Sequence, residues 1–404
     1  MMTNTLPVVP SSTRNINNPR VQIYLYVIVV FLFWMALNLY VPTLPNYINT
    51  RTNDLALIGV ILSMYGLVGT LIRLPLGIAA DWHGRCKPFF ITGIVLEGLG
   101  AWLMGTAHDT NWLIFGRAIS GLAAGTWVIV VVSFSNFFPP EQAVKATAIV
   151  TIVPTLGRLA GSFLIGWLNN LGGYALSFYV STGFAGLAFL ILMMTGEIKH
   201  PPQAPTFQNI GKLISRRELL VPSFLNVIGQ YVVVGAVFGF IPILAEDLGA
   251  GNIALGLLGS VYIILHGLGS LTAAMFNQRI TNQTMVIVGV VLMAAGYGIS
   301  AAAQSLIWIF VAQACYGLGC GISYPVIMGL CIEKIPVNER STAMGLHQTL
   351  YSIGGFAGPW LSGILANAIG VQPMFGVTAF TCLALGLLGV RFLVIDERPT
   401  MKLK

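Results

Sequence analysis

Charge is what this 404-residue chain has least of: aspartate, glutamate, lysine and arginine together make up 8% of it. A soluble domain carries about a quarter charged residues, so a water-facing surface could not be covered, which excludes a soluble enzyme or binding module. Cysteine is scarce too. The five thiols (Cys86, Cys315, Cys320, Cys331, Cys382) lack metal-ligand spacing and lie mostly in apolar runs, which predicts free thiols and no metal site. No phosphate-cradling Gly-x-x-x-x-Gly-Lys-Ser/Thr loop occurs, so no nucleotide drive and no cofactor is expected. Paired acids are missing from the apolar runs as well. The one tight acid–base pair, His108-Asp109, falls in a short predicted loop, and an intramembrane enzyme is excluded with it.

What remains is apolar: 56% of the residues are hydrophobic and the mean hydropathy is +0.83. A spanning helix needs about 20 apolar residues. Runs that meet this are 21–44, 55–80, 89–107, 111–135, 144–168 and 174–195, then 219–245, 253–276, 285–303, 305–330, 341–369 and 373–395. The fold expected is an all-α integral membrane protein of twelve transmembrane helices in two six-helix bundles, residues 21–195 and 219–395. A polar linker, 196–218, joins them. The first run is too long for a signal-peptide core, so 1–20 reads as a retained tail, and 396–404 as a second one.

The net charge of +7 would suggest nucleic acid in a soluble protein; here its placement matters instead. Of the twenty lysines and arginines, sixteen fall on the side of the membrane that holds both tails. Arg51 alone falls on the other side, and Arg73, Arg117 and Arg158 lie inside spans. Both termini are therefore expected in the cytoplasm.

The halves repeat each other. Ile114–Gly125 aligns with Phe310–Gly321 at an offset of 196, placing Gly121 on Gly317, Gly125 on Gly321, Arg117 on Gln313 and Pro140 on Pro336. One residue further in offset, Gly157, Gly166 and Asn170 fall on Gly354, Gly363 and Asn367. Weak internal symmetry of this kind marks duplicated transporter halves.

Between the second and third spans runs Gly77-x-x-x-Asp81-x-x-Gly84-Arg85-x-Lys87. Gly84 can turn the chain at positive φ. Asp81 stands where it could meet Arg85 and the start of the eleventh helix, around Ser341. The loop resembles the signature loop of the major facilitator superfamily, and Arg117-x-x-x-Gly121-x-x-x-Gly125 resembles that superfamily's motif in the fourth helix. Arg73-x-Pro75-x-Gly77 and Gly345…Gly354…Gly358-Pro359-x-x-x-Gly363 are similar to the bacterial efflux-permease branch. The resemblance implies a bacterial inner-membrane protein in which Gly77, Asp81, Gly84 and Arg85 gate the contact between halves. It also implies that helices 1, 4, 7 and 10 ring the cavity, with 2, 5, 8 and 11 between the halves. Two positions depart from the pattern. Gly157-Arg158-Leu-Ala-Gly161 has arginine where drug–proton antiporters carry proline, and the matching loop of the second half, Asn277-Gln-Arg-Ile-Thr-Asn282, has no glycine.

Ionisable residues inside a bilayer cost at least about 2.5–3.5 kcal/mol and face a cavity or a partner. Here they are Arg73, Glu97, Arg117, Arg158, His266 and His347. At about 1.5 Å per residue, Arg73 and Glu97 reach similar depths on antiparallel helices, so a buried pair is expected. Glu97, Arg73 and Arg117 are the candidates for coupling transport to a proton. Arg158, His266 and His347, with the neutral Asn38, Asn226, Gln230 and Gln313, are the candidates for binding substrate. Trp127, Tyr231 and Tyr324 could stack on an organic ligand. Three bases and two histidines against one acid make a positive interior, which predicts an anionic solute. The expectation is a monomeric secondary transporter that exports a small organic solute in exchange for protons or another ion. The second expectation is import of an organic anion together with protons.

Overall fold

The computed structural model describes residues 19–135, 137–138, 142–197, 215–336 and 340–393. The first tail, most of the linker and the last tail lie outside the described residues. Every regular element described is helical, as apolar runs with all backbone groups paired internally require in lipid. The membrane helices are α1 (Pro19–Leu39), α2 (Leu55–His83), α3 (Lys87–Gly105), α4 (110–135, stepped at Thr126), α5 (143–171) and α6 (174–193). The second set is α7 (Arg217–Asp247), α8 (Asn252–Phe276), α9 (Asn282–Ala302), α10 (Leu306–Glu333), α11 (Arg340–Ile369) and α12 (Val371–Arg391). The continuous stretch Ala143–Met193 counts as two because Gly172 and Gly173 leave helical geometry, the latter at φ 68°. Twelve long helices result among the described residues.

Several ends are fixed by local chemistry. Asp54 and Asp109 each accept hydrogen bonds from the two backbone N–H groups that open α2 and α4. Asp109, half of the acid–base pair in the sequence, is thus a helix cap. At the outer end of α1, Pro42 and Pro45 cannot donate to the ladder, and the chain turns through Val41–Thr43 into a short helix, Leu44–Asn49. Within α7, residues Val232–Phe240 wind as a π-helix before Pro242 restarts the α-helix.

The internal repeat is a repeat of contacts as well as of residues. A Cβ on Gly121 would meet the carbonyl oxygen of Tyr65 at 2.7 Å, and one on Gly317 would meet that of Tyr262 at 2.8 Å. Gly157 lies against Phe31 and Met35 of α1, and Gly354 against Val227 and Tyr231 of α7. The partners are themselves 196 or 197 residues apart, as the glycines are. Small residues let these backbones approach closely where lipid supplies no hydrophobic drive.

The halves meet along a seam far from the termini. Gly59 packs on Gly363 and Gly66 on Gly355, joining α2 to α11. Gly166 packs on Ile253 and Gly256 on Ser162, joining α5 to α8. Asn46 donates to the carbonyl of Pro242 at 2.9 Å and to Glu246 Oε2 at 2.5 Å, and Asn252 donates to Asn170 at 2.9 Å. Nearer the termini, a Cβ on Gly77 of α2 or on Gly345 of α11 would meet nothing within 4 Å. These described contacts tie the halves together at the end far from the termini.

Candidate functional site

Arg73 and Glu97 do not pair. Arg73 Nη1 donates to Ser352 Oγ of α11 at 2.5 Å, a hydrogen bond between the halves. Glu97 turns the other way, into the first half. It is fully buried, and Tyr40 of α1 donates to its Oε1 at 3.2 Å. The Tyr40 hydroxyl also bonds Ser120 of α4 at 3.0 Å, and Ser120 and Ser181 stand against the carboxyl group. The two side chains leave their helices toward different neighbours. α3 lies behind α1 and α4, so its buried face looks inward at its own half.

Arg117 is buried at 4% exposure, with its guanidinium carbon 4.4 Å over the ring of Tyr65. That ring face offers partial compensation for a buried cation. Arg117 Nε and Nη1 and Glu97 Oε2 are buried without hydrogen-bond partners. Two opposite charges thus sit near each other in one bundle, each incompletely satisfied, where charge is costly.

Arg158 holds a different position. It is exposed although it lies near the middle of α5, and its guanidinium carbon is 4.2 Å over Trp34 of α1. Trp34 in turn meets Trp127 of α4 edge-on at 5.1 Å. Arg158 lies within electrostatic range of Tyr65 in its own half and of Tyr262, His266 and Tyr324 in the other. It therefore looks across the opening between the halves. The facing wall is a ladder of rings. Tyr262 and His266 of α8 are 5.8 Å apart, and His266 and Tyr324 of α10 are 6.3 Å apart. Tyr324 meets Tyr351 of α11 at 6.3 Å, and Tyr351 meets His347 at 5.5 Å.

The two histidines differ. His266 lines this wall. His347 is fully buried between α11 and α7, with Nδ1 bonded to Ser223 Oγ at 2.9 Å and Nε2 to Asn226 Nδ2 at 3.2 Å. Ser223 donates to the carbonyl of Leu219, so it accepts from Nδ1–H. His347 is then the neutral Nδ1–H tautomer, with Asn226 as the donor to Nε2. Both residues are thus occupied with each other. Asn38 donates to the carbonyl of Trp34 on its own helix. Gln313 is buried with Oε1 unpartnered, and Gln230 packs near Gly355 at the seam.

In the signature loop, Gly84 ends α2 at φ 64°, its N–H bonded to the carbonyl of Ala80. Arg85 is exposed. The side chains of Asp81 and Ser341 lie outside the described residues, so the expected contact between them does too. One residue that the sequence reading assigned only to charge placement has a structural partner. Lys87 Nζ donates to the carbonyls of Thr195 at 2.5 Å and Met193 at 3.4 Å, and Glu197 accepts from its backbone N–H. The base closes the C-terminal end of α6, where carbonyls are left free. The signal was its distance in space, which spacing along the chain does not carry. Tyr40 and Tyr351 were missed for a related reason, since a tyrosine in an apolar run reads as packing.

A family model described as the Major Facilitator Superfamily matches residues 26–241 and 223–404. The chain is 22% identical to an uncharacterized MFS-type transporter of Methanocaldococcus jannaschii over 91% of this chain and 97% of that one. It is 24% identical to the multi-drug resistance efflux pump PmrA of Streptococcus pneumoniae, over 93% of this chain and 95% of the pump. A solved bacterial homologue of the human lysosomal transporter Spinster, inward-facing and unoccupied, superposes with a TM-score of 0.78 at 15% identity. That match covers 93% of this chain and 97% of the other.

Proposed function

The chain belongs to the major facilitator superfamily, which makes it a membrane-spanning secondary transporter and not an enzyme, and from that membership we propose that it exports a small organic solute by alternating access, driven by protons. The observation that carries this reading is Arg158. It is a cation exposed in the gap between two halves, and no carboxylate among the described residues pairs with it. A charge kept at that depth without a counter-ion suits a site filled by a solute, and by one of negative charge. With the bases on the terminal side taken as cytoplasmic, the opening faces the cytoplasm, where an exporter loads. The similarity to a multi-drug efflux pump points the same way.

Proton coupling falls to Glu97 in this reading. Its surroundings are hydroxyls and an arginine that is not fully bonded, so a proton gained or lost there alters the energy of the whole first half. The signature loop, Gly77 to Arg85, closes the cytoplasmic side in the opposite state. Both halves are carried on one chain, residues 21–195 and 219–395, so a monomer is sufficient; a bacterial inner membrane with both termini in the cytoplasm is its setting.

Proteoliposomes with an imposed pH gradient test this. Solute accumulation inside inverted vesicles acidified within, abolished by a protonophore, is the expected result. E97Q should abolish gradient-driven flux by at least about tenfold while leaving solute exchange at equal pH nearly intact, because exchange needs no net proton movement. Undiminished gradient-driven flux in E97Q would remove Glu97 from the coupling. The second reading, import of an organic anion with protons, is favoured by the two arginines at the cavity, Arg73 and Arg158. It predicts flux of the opposite sign under the same gradient.

A further inference from the structure

We propose that the solute is a flat aromatic anion, its acid group held by Arg158 and its ring received between the Trp34 side of the gap and the facing rings of Tyr324 and His266. The inference rests on the transport reading above and adds the chemical class of the cargo.

Three features of the gap converge on it. First, the sign of charge: Arg158 is exposed there, Arg73 bridges to Ser352 at its inner edge, and Tyr324 and Tyr65 lie within electrostatic range of both. Neither arginine is paired with a carboxylate among the described residues. Glu97, the acid at membrane depth, stands behind Tyr40 and Ser120 and is fully buried. An organic cation would meet two like charges there and no compensating acid.

Second, the direction of the donors. With its flat face covered by the indole of Trp34 at 4.2 Å, the guanidinium is left with its edge to offer. Guanidinium N–H groups lie in the plane of the group, so the edge presents parallel donors matched to two oxygens of a carboxylate. A phenolate or sulfonate would engage the same edge with a different oxygen arrangement. Stacking on Trp34 also fixes the side chain before the ligand arrives, which reduces the ordering cost of binding.

Third, the walls. On the second half the part-exposed rings are His266 and Tyr324, with Tyr262 buried beside them; on the first half Arg158 lies over the buried Trp34, and Tyr65 is covered by Arg117. Ring pairs contribute beyond their buried area when offset or edge-on. An aliphatic anion would gain the arginine but not that extra term.

Four probes separate these contributions by calorimetry on the full chain in nanodiscs: benzoate, cyclohexanecarboxylate, benzamide and benzylammonium. Benzoate should bind at least about tenfold more tightly than benzamide or benzylammonium, the size of one charge-assisted pair. It should bind about three- to tenfold more tightly than cyclohexanecarboxylate, the size of a ring contact. R158Q should erase the preference for benzoate over benzamide and keep the preference for benzoate over cyclohexanecarboxylate; Y324L should do the reverse. The inference is overturned if cyclohexanecarboxylate matches benzoate, if benzylammonium exceeds it, or if no probe binds up to its solubility limit. It is overturned also if R158Q weakens all four alike, as general loss of structure would, while R158K restores none of the selectivity. Flux measurements distinguish the two readings. The binding pattern without gradient-driven flux of any probe would refute transport and leave the ligand class standing. Gradient-driven flux of a cation or an aliphatic solute, with no aromatic anion carried, would refute the ligand class alone.

Discussion

At the scale of single residues, the same residue type serves opposite purposes in this protein. His266 faces a wall of rings at the gap, whereas His347 is sealed between α7 and α11 with both nitrogens bonded. H347A leaves Ser223 and Asn226 without their partner in a buried site and opens a void, at a cost of about 2–4 kcal/mol. The expected outcome is a lower thermal-unfolding midpoint with an unchanged KM for whatever transport survives. R158Q should give the opposite pattern, a raised KM with an unchanged midpoint, because its side chain is exposed and packs on one indole. Measuring both quantities in both variants separates a structural histidine from a binding arginine. Spacing along the sequence assigned all six ionisable residues to helices. It could not tell which side of its helix each presents, because a two-residue shift rotates a side chain by about 200° and moves it only about 3 Å along the axis.

At the scale of helices, α2 meets α11 in close backbone contact at Gly66 and has room for a side chain at Gly77. Gly66 has the backbone of Gly355 where a Cβ would be, at 2.6 Å, whereas Gly77, eleven residues on, has nothing within 4 Å. G66V should force the far ends apart and bias the protein toward the opposite state. Labelling of a cysteine introduced at Asn252 from the far side should then rise, and transport should fall. G77V should leave labelling and thermal stability of the observed state unchanged, since there is room for the side chain. Transport should still fall, if this face of α2 is closed in the opposite state. Equal effects of the two substitutions on labelling would refute that asymmetry. The glycine spacing that gave the repeat in the sequence is confirmed here as paired close approaches, Gly157 on α1 and Gly354 on α7. What the spacing did not indicate is that Gly59, Gly66, Gly355 and Gly363 form a contact between the halves rather than within one.

At the scale of the whole molecule, the far-end closure is held by few polar contacts. Asn46 supplies two of them, to Pro242 and Glu246, both from the other half. Removing a net hydrogen bond changes an equilibrium by about 0.5–1.5 kcal/mol. N46A should therefore shift the population toward the far-side-open state by roughly two- to tenfold per bond lost. Distance distributions between spin labels on the outer ends of α1 and α7 would measure it, and an unaltered distribution would mean that the glycine seam alone holds the closure. Gly166 packs on Ile253 beside the Asn252–Asn170 bond, so polar and small-residue contacts lie side by side there.

The sequence by itself determined the solvent, the duplication and the family. Each follows from composition or from spacing along one dimension: a bilayer fixes the length of an apolar run, and a gene duplication fixes an offset. Tertiary structure alone decided which charged residues meet. Arg73 reaches Ser352 in the other half, Glu97 is enclosed with Tyr40, and Arg158 is left facing the gap. Those outcomes depend on the rotation of each helix about its axis and on which helices become neighbours, quantities set by packing among all twelve and carried by no single stretch of the chain. The signature loop identifies the transporter, and the rotation of α5 about its axis is what leaves Arg158 exposed over Trp34.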